Sequence, residues 1–216
     1  MEITWLGHSC FLLQDSKGRK LLTDPFDTNL GYEVYKGSPD IVTISHQHFD
    51  HNYTKELSGN YKIIDKIGMF NICDIPIKGT PSYHDKDKGA KRGDNIIFTF
   101  KMDDYLICHL GDLGHTLSEA DIDAIGSVDI LFIPVGGNYT TDGKEASEVA
   151  KKINPKIVIP MHYKTSLVSF PIDGLEPFLK HMKNASKIGS NTLVITDDIK
   201  ESMSVKILNY NRVGAK

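Results

Sequence analysis

Apolar runs in the first half of the chain are short and separated by turn residues. Ile3–Leu6, Cys10–Leu13 and Lys20–Thr23 read as strands, with a turn at Asp15-Ser16-Lys17-Gly18 between the last two. Asp24-Pro25 ends the third, because proline cannot continue a hydrogen-bonded ladder. Ile41–Ser45 is the next strand, and Tyr53–Ser58 reads as a short helix. Lys62–Asp65 and Ile75–Lys78 are weaker strands, and Asn95–Phe100 with Tyr105–Leu110 form a hairpin about Asp103-Asp104. The second half alternates. Leu117–Ile125, Gly143–Ile153 and Leu175–Met182 have helical spacing, with Ser118 as a weak cap for the first. Asp129–Pro134 and Lys156–Pro160 read as buried strands; Thr192–Thr196 and Ser204–Leu208 close the chain ahead of a tail. Strands first, then strands alternating with helices, point to two sheets with helices outside them.

Composition narrows the class. The 216 residues suffice for one sizeable domain or two small ones, and 40% hydrophobic residues can fill an ordinary core. A net charge of −3 argues against general nucleic-acid binding, though not against a local basic patch. The three cysteines, Cys10, Cys73 and Cys108, lack Cys-x-x-Cys spacing, so neither a disulfide framework nor a thiolate zinc knuckle is expected. Cys10 and Cys108 sit in apolar runs and read as buried thiols. The amino terminus has no basic segment followed by a long apolar one, and no run reaches the roughly 18 apolar residues of a membrane span. The expectation is a soluble cytoplasmic protein.

One run changes the picture. His46-Gln47-His48-Phe49-Asp50-His51 reads H-x-H-x-D-H and follows the apolar strand that ends at Ser45. Imidazole nitrogen and carboxylate oxygen are donors that zinc, iron and manganese accept. So many donors in so short a stretch make a poor core and a good metal cradle. A site needs ligands from other loops, and three polar residues stand where later strands stop: His84, Asp112 and His162. For His84 the competing reading is a solvated histidine ahead of the charged loop 85–93.

With these residues in this order, preceded by Asp24 at an early strand end, the chain resembles the metallo-β-lactamase superfamily of hydrolases. Gly7-His8-Ser9 before a strand and Pro160-Met161-His162-Tyr163 are similar to the branch that includes the ascorbate-6-phosphate lactonase and uncharacterised metal-dependent hydrolases. The resemblance implies a mixed α/β (α+β) fold, a four-layer αββα sandwich, in a single metallo-hydrolase domain over 1–216. It implies two divalent metal ions, zinc first, with manganese or iron as alternatives. His46, His48 and His84 would hold one ion, Asp50, His51 and His162 the other, and Asp112 would bridge them. Asp24 would hold a ligand histidine by its other ring nitrogen. A hydroxide between the ions would be the nucleophile.

The motif sets a reaction type, hydrolysis, and not a substrate. An aspartate at 112 disfavours antibiotic hydrolysis, since the β-lactamases proper often carry cysteine there. The RNA-binding arms and fused flavodoxin domain of other branches have no room in this chain. The expected substrate is a small anionic ester, lactone or phosphodiester, with no membrane or nucleic-acid partner; relatives often assemble, so a homo-oligomer is an open expectation. Lys164, two residues past His162, is the candidate for gripping the anion, with the loop Lys86, Lys88, Lys91, Arg92 as a second candidate or a plain solvated loop. Asp112 or a neighbour would shuttle the proton. His115 either reaches the site mouth as an acid or substrate contact or is a surface residue; His8 either lines the pocket as a substrate contact or closes a turn. His109 is expected to pack within its strand and His181 to lie on the surface. Two other functions fit the same residues: a metal-dependent sensor that binds a phospho-ligand without turnover, and a phosphodiesterase or nuclease acting on short oligonucleotides.

Overall fold

A computed structural model describes residues 1–196, 199 and 202–210. The expected tail over 211–216 lies outside the described residues. Two sheets pack face to face. The first has the order β13-β1-β2-β3-β4-β5, with β1 Glu2–Gly7, β2 Cys10–Gln14, β3 Lys20–Thr23, β4 Ile41–Thr43, β5 Lys62–Ile64 and β13 Thr192–Val194. The second has the order β12-β14-β11-β10-β9-β8-β7-β6. Its antiparallel half is β6 Gly68–Ile72, β7 Ile75–Tyr83, β8 Asp94–Met102 and β9 Tyr105–His109. Its parallel half continues through β10 Ile130–Pro134, β11 Ile157–Met161, β14 Ser204–Ile207 and β12 Ala185–Lys187.

Alternation explains the first sheet. Ile3, Trp5, Phe11, Leu13, Leu21 and Ile41 face the second sheet, and Phe11 stacks on Phe132 with centroids 4.2 Å apart. Their neighbours Leu6, Cys10, Leu22, Val42 and Ile44 face outward into a second core. The parallel strands β10 and β11 are buried at every position, as strands covered on both faces must be.

The helical layer is thin. On the large sheet lie α1 Glu119–Ile125, α2 Gly143–Ile153 and α3 Glu176–Leu179. Ser118 caps α1 in a reciprocal box with Asp121, and Asp142 does the same for α2 with Glu145. Ala146, Val149, Ala150 and Ile153 form the buried stripe of α2. Outside the first sheet, loops carrying Phe26, Leu30, Tyr32, Val168 and Ile172 form the cover.

One expected helix is absent and another is shorter than its pattern suggests. Tyr53–Ser58 is not a helix: Tyr53 N–H bonds to Pro25 C=O and Ser58 N–H to Gly37 C=O, so tertiary partners take its backbone groups. After α3 the chain tightens, with His181 N–H on Phe178 C=O and Met182 N–H on Leu179 C=O. The edge strands β6 and β12 were not expected; their residues are largely exposed and carry little apolar pattern. Among the described residues no helix is long and apolar enough to cross a membrane.

Candidate metal centre and substrate pocket

Strands of both sheets end at one edge, and the polar residues after them converge there. His8 follows β1, Asp24 follows β3, the run 46–51 follows β4, His84 follows β7, Asp112 follows β9 and His162 follows β11. His8, Asp24 and His162 have φ of 51°, 38° and 51°, a region that residues with a Cβ enter at a cost of about 1–3 kcal/mol. The packed strands hold them there and turn their side chains into the edge.

Among the described residues the donors form three overlapping groups, one of them Asp24 with His46 and His51. Ligand atoms of His46, His48 and His84 lie within 4.8 Å of one another, as do those of His8, Asp50, His51 and His162. Asp112 touches both: its Oδ2 is 3.3 Å from His84 Nε2, 3.2 Å from His51 Nε2, 3.2 Å from His162 Nε2 and 3.9 Å from His46 Nε2. Donors that share one tetrahedral ion at ~2.1 Å stand about 3.4 Å apart, so these spacings suit metal sharing. His46 Nε2, His51 Nε2 and Asp112 Oδ1 are buried without a hydrogen-bond partner. Such groups carry a desolvation cost of about 1–3 kcal/mol each, which a cation would remove. The donor set therefore fits divalent metal.

Hydrogen bonds around the donors set their tautomers. Asp24 accepts from Ser45 N–H at 2.8 Å, Ser45 Oγ at 2.6 Å and His51 Nδ1 at 2.9 Å. Burial opposes its ionisation, but His109, His51 and His46 outweigh that and keep it below the usual carboxylate range. With Nδ1–H given to Asp24, His51 would present the Nε2 lone pair inward once the proton on Nε2 is displaced. Ser45 spends its proton on Asp24, so the 2.9 Å contact with His46 requires His46 Nδ1–H as donor and again leaves Nε2 inward. Burial, reinforced by His51, pushes His46 down to about 3. Asp112 is ionised well below its usual range: burial resists, and His162 and His51 prevail.

Asn95 fixes Asp112. Its Oδ1 accepts Asp112 N–H at 2.9 Å, while its amide donates to Leu110 C=O and Ser82 Oγ. Gly111 makes this approach possible: its φ is 57°, and a Cβ there would stand 2.3 Å from Asn95 Oδ1. His109 braces the two sheets, with Nε2 on Ser9 C=O at 2.8 Å and Nδ1 accepting Gly111 N–H at 3.1 Å.

Three substrate-side or catalytic expectations are corrected. His8 does not line the pocket; it is fully buried, and its Nε2 lies 3.2 Å from Asp50 Oδ2. Burial, then His162, pushes His8 down to about 4, while Asp50 is ionised, burial being outweighed by the His51 charge and the His8 bond. A carboxylate can only accept, so His8 donates and holds Asp50. His115 points away from the pocket: Nδ1 donates to Thr116 C=O at 2.9 Å and Nε2 accepts Tyr83 N–H at 3.3 Å. Lys164 is exposed and spends its ammonium on Phe170 C=O at 2.6 Å.

A cavity of about 440 Å³ opens over the cluster. Its floor carries His48, Asp50, His84, Asp112 and His162; Phe49, Arg92, Tyr139 and Phe170 form its walls. Arg92 arrives through the charged loop. Asp85 accepts the N–H groups of Asp87, Gly89, Lys91 and Arg92, and these bonds overcome burial to hold its carboxyl below the usual range. Lys86 pairs with Glu145 and Lys91 with Asp87, away from the cavity. Arg92 rests over the Tyr139 ring, Cζ 4.5 Å from its centroid. Nothing near them in the sequence marks Ser45, Asn95 or Phe170, whose importance lies in partners distant along the chain.

A two-sheet sandwich with a His/Asp cluster at a shared sheet edge defines the metallo-β-lactamase fold. Residues 2–162 match the family described as the Beta-lactamase superfamily domain, and the chain belongs to that family. A UPF0173 metal-dependent hydrolase of Carboxydothermus hydrogenoformans is 31% identical over 76% of this chain and 85% of its own length. A UPF0173 protein of Pyrococcus furiosus is 32% identical over 76% and 84%. The crystal structure of a proposed Zn-dependent hydrolase of the metallo-β-lactamase superfamily from Thermotoga maritima is similar at TM-score 0.81 and 39% identity, covering 96% of this chain and 99% of that one. The protein is a metal-dependent hydrolase of this superfamily.

Proposed function

We propose that the protein, as one domain over 1–216, holds two divalent ions and hydrolyses a small anionic ester, lactone or phosphodiester. His46, His48 and His84 would hold one ion, Asp50, His51 and His162 the other, and Asp112 both. The observation that carries this is Asp112 Oδ2, which stands within 3.3 Å of His51, His84 and His162 at once. Zinc is the first candidate, on the donor set and the Thermotoga relative's description. Bound divalent metal supplies an acidified water and polarises the bond to be cleaved.

The chain's own residues do the rest. Asp24 and Ser45 keep His51 and His46 in the tautomers that offer Nε2. His8 holds Asp50, and Asn95 holds Asp112. Asp112 or a neighbouring group would shuttle the proton of the attacking water. Arg92 replaces Lys164 as the anion anchor: among the described residues it has no ion-pair partner, and its planar fork suits carboxylate or phosphate.

The test is turnover by the zinc-loaded protein of generic esters, lactones and bis-aryl phosphodiesters, beside Asp50→Ala and His162→Ala. Hydrolysis lost in both variants supports the site. Full activity in both would place the chemistry elsewhere. Ligands returned chemically unchanged, seen by mass spectrometry, would favour a sensor without turnover.

A further inference from the structure

The cavity over the cluster has an aromatic side that metal chemistry does not explain. Phe49 lies inside the histidine run yet is 49% exposed. Its ring meets Phe170 edge-on, with centroids 6.4 Å apart at 87°. Phe170 meets Tyr139 at 6.1 Å and 79°. Tyr139 in turn carries the Arg92 guanidinium. Burying a ring of this size is worth about 1.5–3 kcal/mol, so leaving Phe49 half in water forgoes about half of that. A lone exposed ring needs no explanation, but three contiguous rings ending on an unpaired cation, in one cavity with Asp112 and His162, form a surface of defined chemistry.

We propose that Phe49, Phe170 and Tyr139 form a subsite for a flat apolar group, an aryl ring, joined to the anion that Arg92 holds. The near-perpendicular rings make a corner in which a flat group can stack on one ring and meet another by its edge. The cavity's 440 Å³ matches a small molecule. Its floor of histidines and carboxylates would be left unpaired against an apolar protein face, which favours a small ligand with polar and apolar ends. The Lys164 ammonium on Phe170 C=O holds the loop that presents the central ring. This inference rests on the hydrolase reading of the same site and adds the substrate's shape.

Two diesters with one leaving group separate the ideas: 4-nitrophenyl phenyl phosphate and 4-nitrophenyl ethyl phosphate, each rate divided by its rate with hydroxide. The zinc-loaded protein is expected to favour the phenyl compound about tenfold in kcat/KM. Phe170→Ala and Phe49→Ala are each expected to cut that ratio severalfold, while Arg92→Met lowers both substrates together. Calorimetric binding of phenylphosphonate against methylphosphonate gives the same comparison without turnover. A binding preference with no hydrolysis supports the subsite and counts against the phosphodiester reading alone. Hydrolysis with a ratio near one, a ratio untouched in both Phe variants, or no preference in either assay overturns the subsite.

Discussion

Replacing Asp24 by asparagine changes one atom and should disable a metal ligand, His51, that it touches only through the ring nitrogen facing away from the metal. Asp24 is fully buried and accepts three hydrogen bonds, from Ser45 N–H, Ser45 Oγ and His51 Nδ1. Asparagine can keep its oxygen toward Ser45 N–H. Its NH₂ then faces His51 Nδ1, and two donors confront each other. The ring can restore the bond only by moving its proton to Nε2, the atom 3.2 Å from Asp112 Oδ2. A protonated nitrogen is no ligand. Losing such an orienting partner typically weakens metal binding about 10–100-fold, which is about 1.4–2.8 kcal/mol. The same mismatch costs the metal-free fold about 1–3 kcal/mol. The assay is zinc competition against a chromophoric chelator for wild type and D24N, with thermal melts of both metal-free proteins. One tight equivalent lost or weakened tenfold or more, on a chain that still melts cooperatively, is the expected result. Two equivalents with unchanged affinity would refute the tautomer argument.

Other expectations follow from the same contacts. Arg92→Met should raise KM for an anionic substrate about tenfold with little change in kcat, and Asp85→Ala should do the same by releasing the loop that presents Arg92; steady-state kinetics on charged and neutral esters would show whether the effect is confined to anions. His115→Gln should keep metal content and hold kcat within about threefold, its cost being about 1 kcal/mol of stability from the lost bonds to Tyr83 and Thr116; a collapse of kcat with an unchanged melt would restore His115 as a catalytic group. Metal affinity should rise with pH. In the metal-free chain burial works against protonation of His51, but Asp112 and Asp50 outweigh it and hold the ring protonated well above its ordinary pKa, so metal must displace a proton that becomes easier to remove as pH increases. Calorimetry in buffers of different ionisation enthalpy would count that proton, and a pH-independent affinity would contradict it.

Much of the cluster was legible because its donors lie close along the chain or directly after strands. His46, His48, Asp50 and His51 need only one strand end to bring them together, and His84, Asp112 and His162 each follow an apolar run. The supports were illegible for the opposite reason. Asn95 acts on Asp112 across a hairpin, and His8 on Asp50 across the first sheet, so nothing near them in sequence marks the pairing. His115 stayed between two readings because spacing after Asp112 cannot say which way the chain turns; Gly114 N–H bonds to Tyr83 C=O and carries His115 back onto β7. Lys164 was misread because its nearness to His162 in sequence does not show that the ammonium meets the backbone of its own loop. Tyr53–Ser58 shows the same limit for the fold: helical composition lost to tertiary hydrogen bonds.

In the proposed centre Asp112 joins two donor groups into one paired site. Elemental analysis of metal-reconstituted wild type and Asp112→Ala, both shown to be folded, tests it most directly. Wild type should hold about two equivalents of zinc, manganese or iron, and the variant should lose or weaken both together. No transition metal in wild type after reconstitution, or two tightly held equivalents in the variant, would contradict the account.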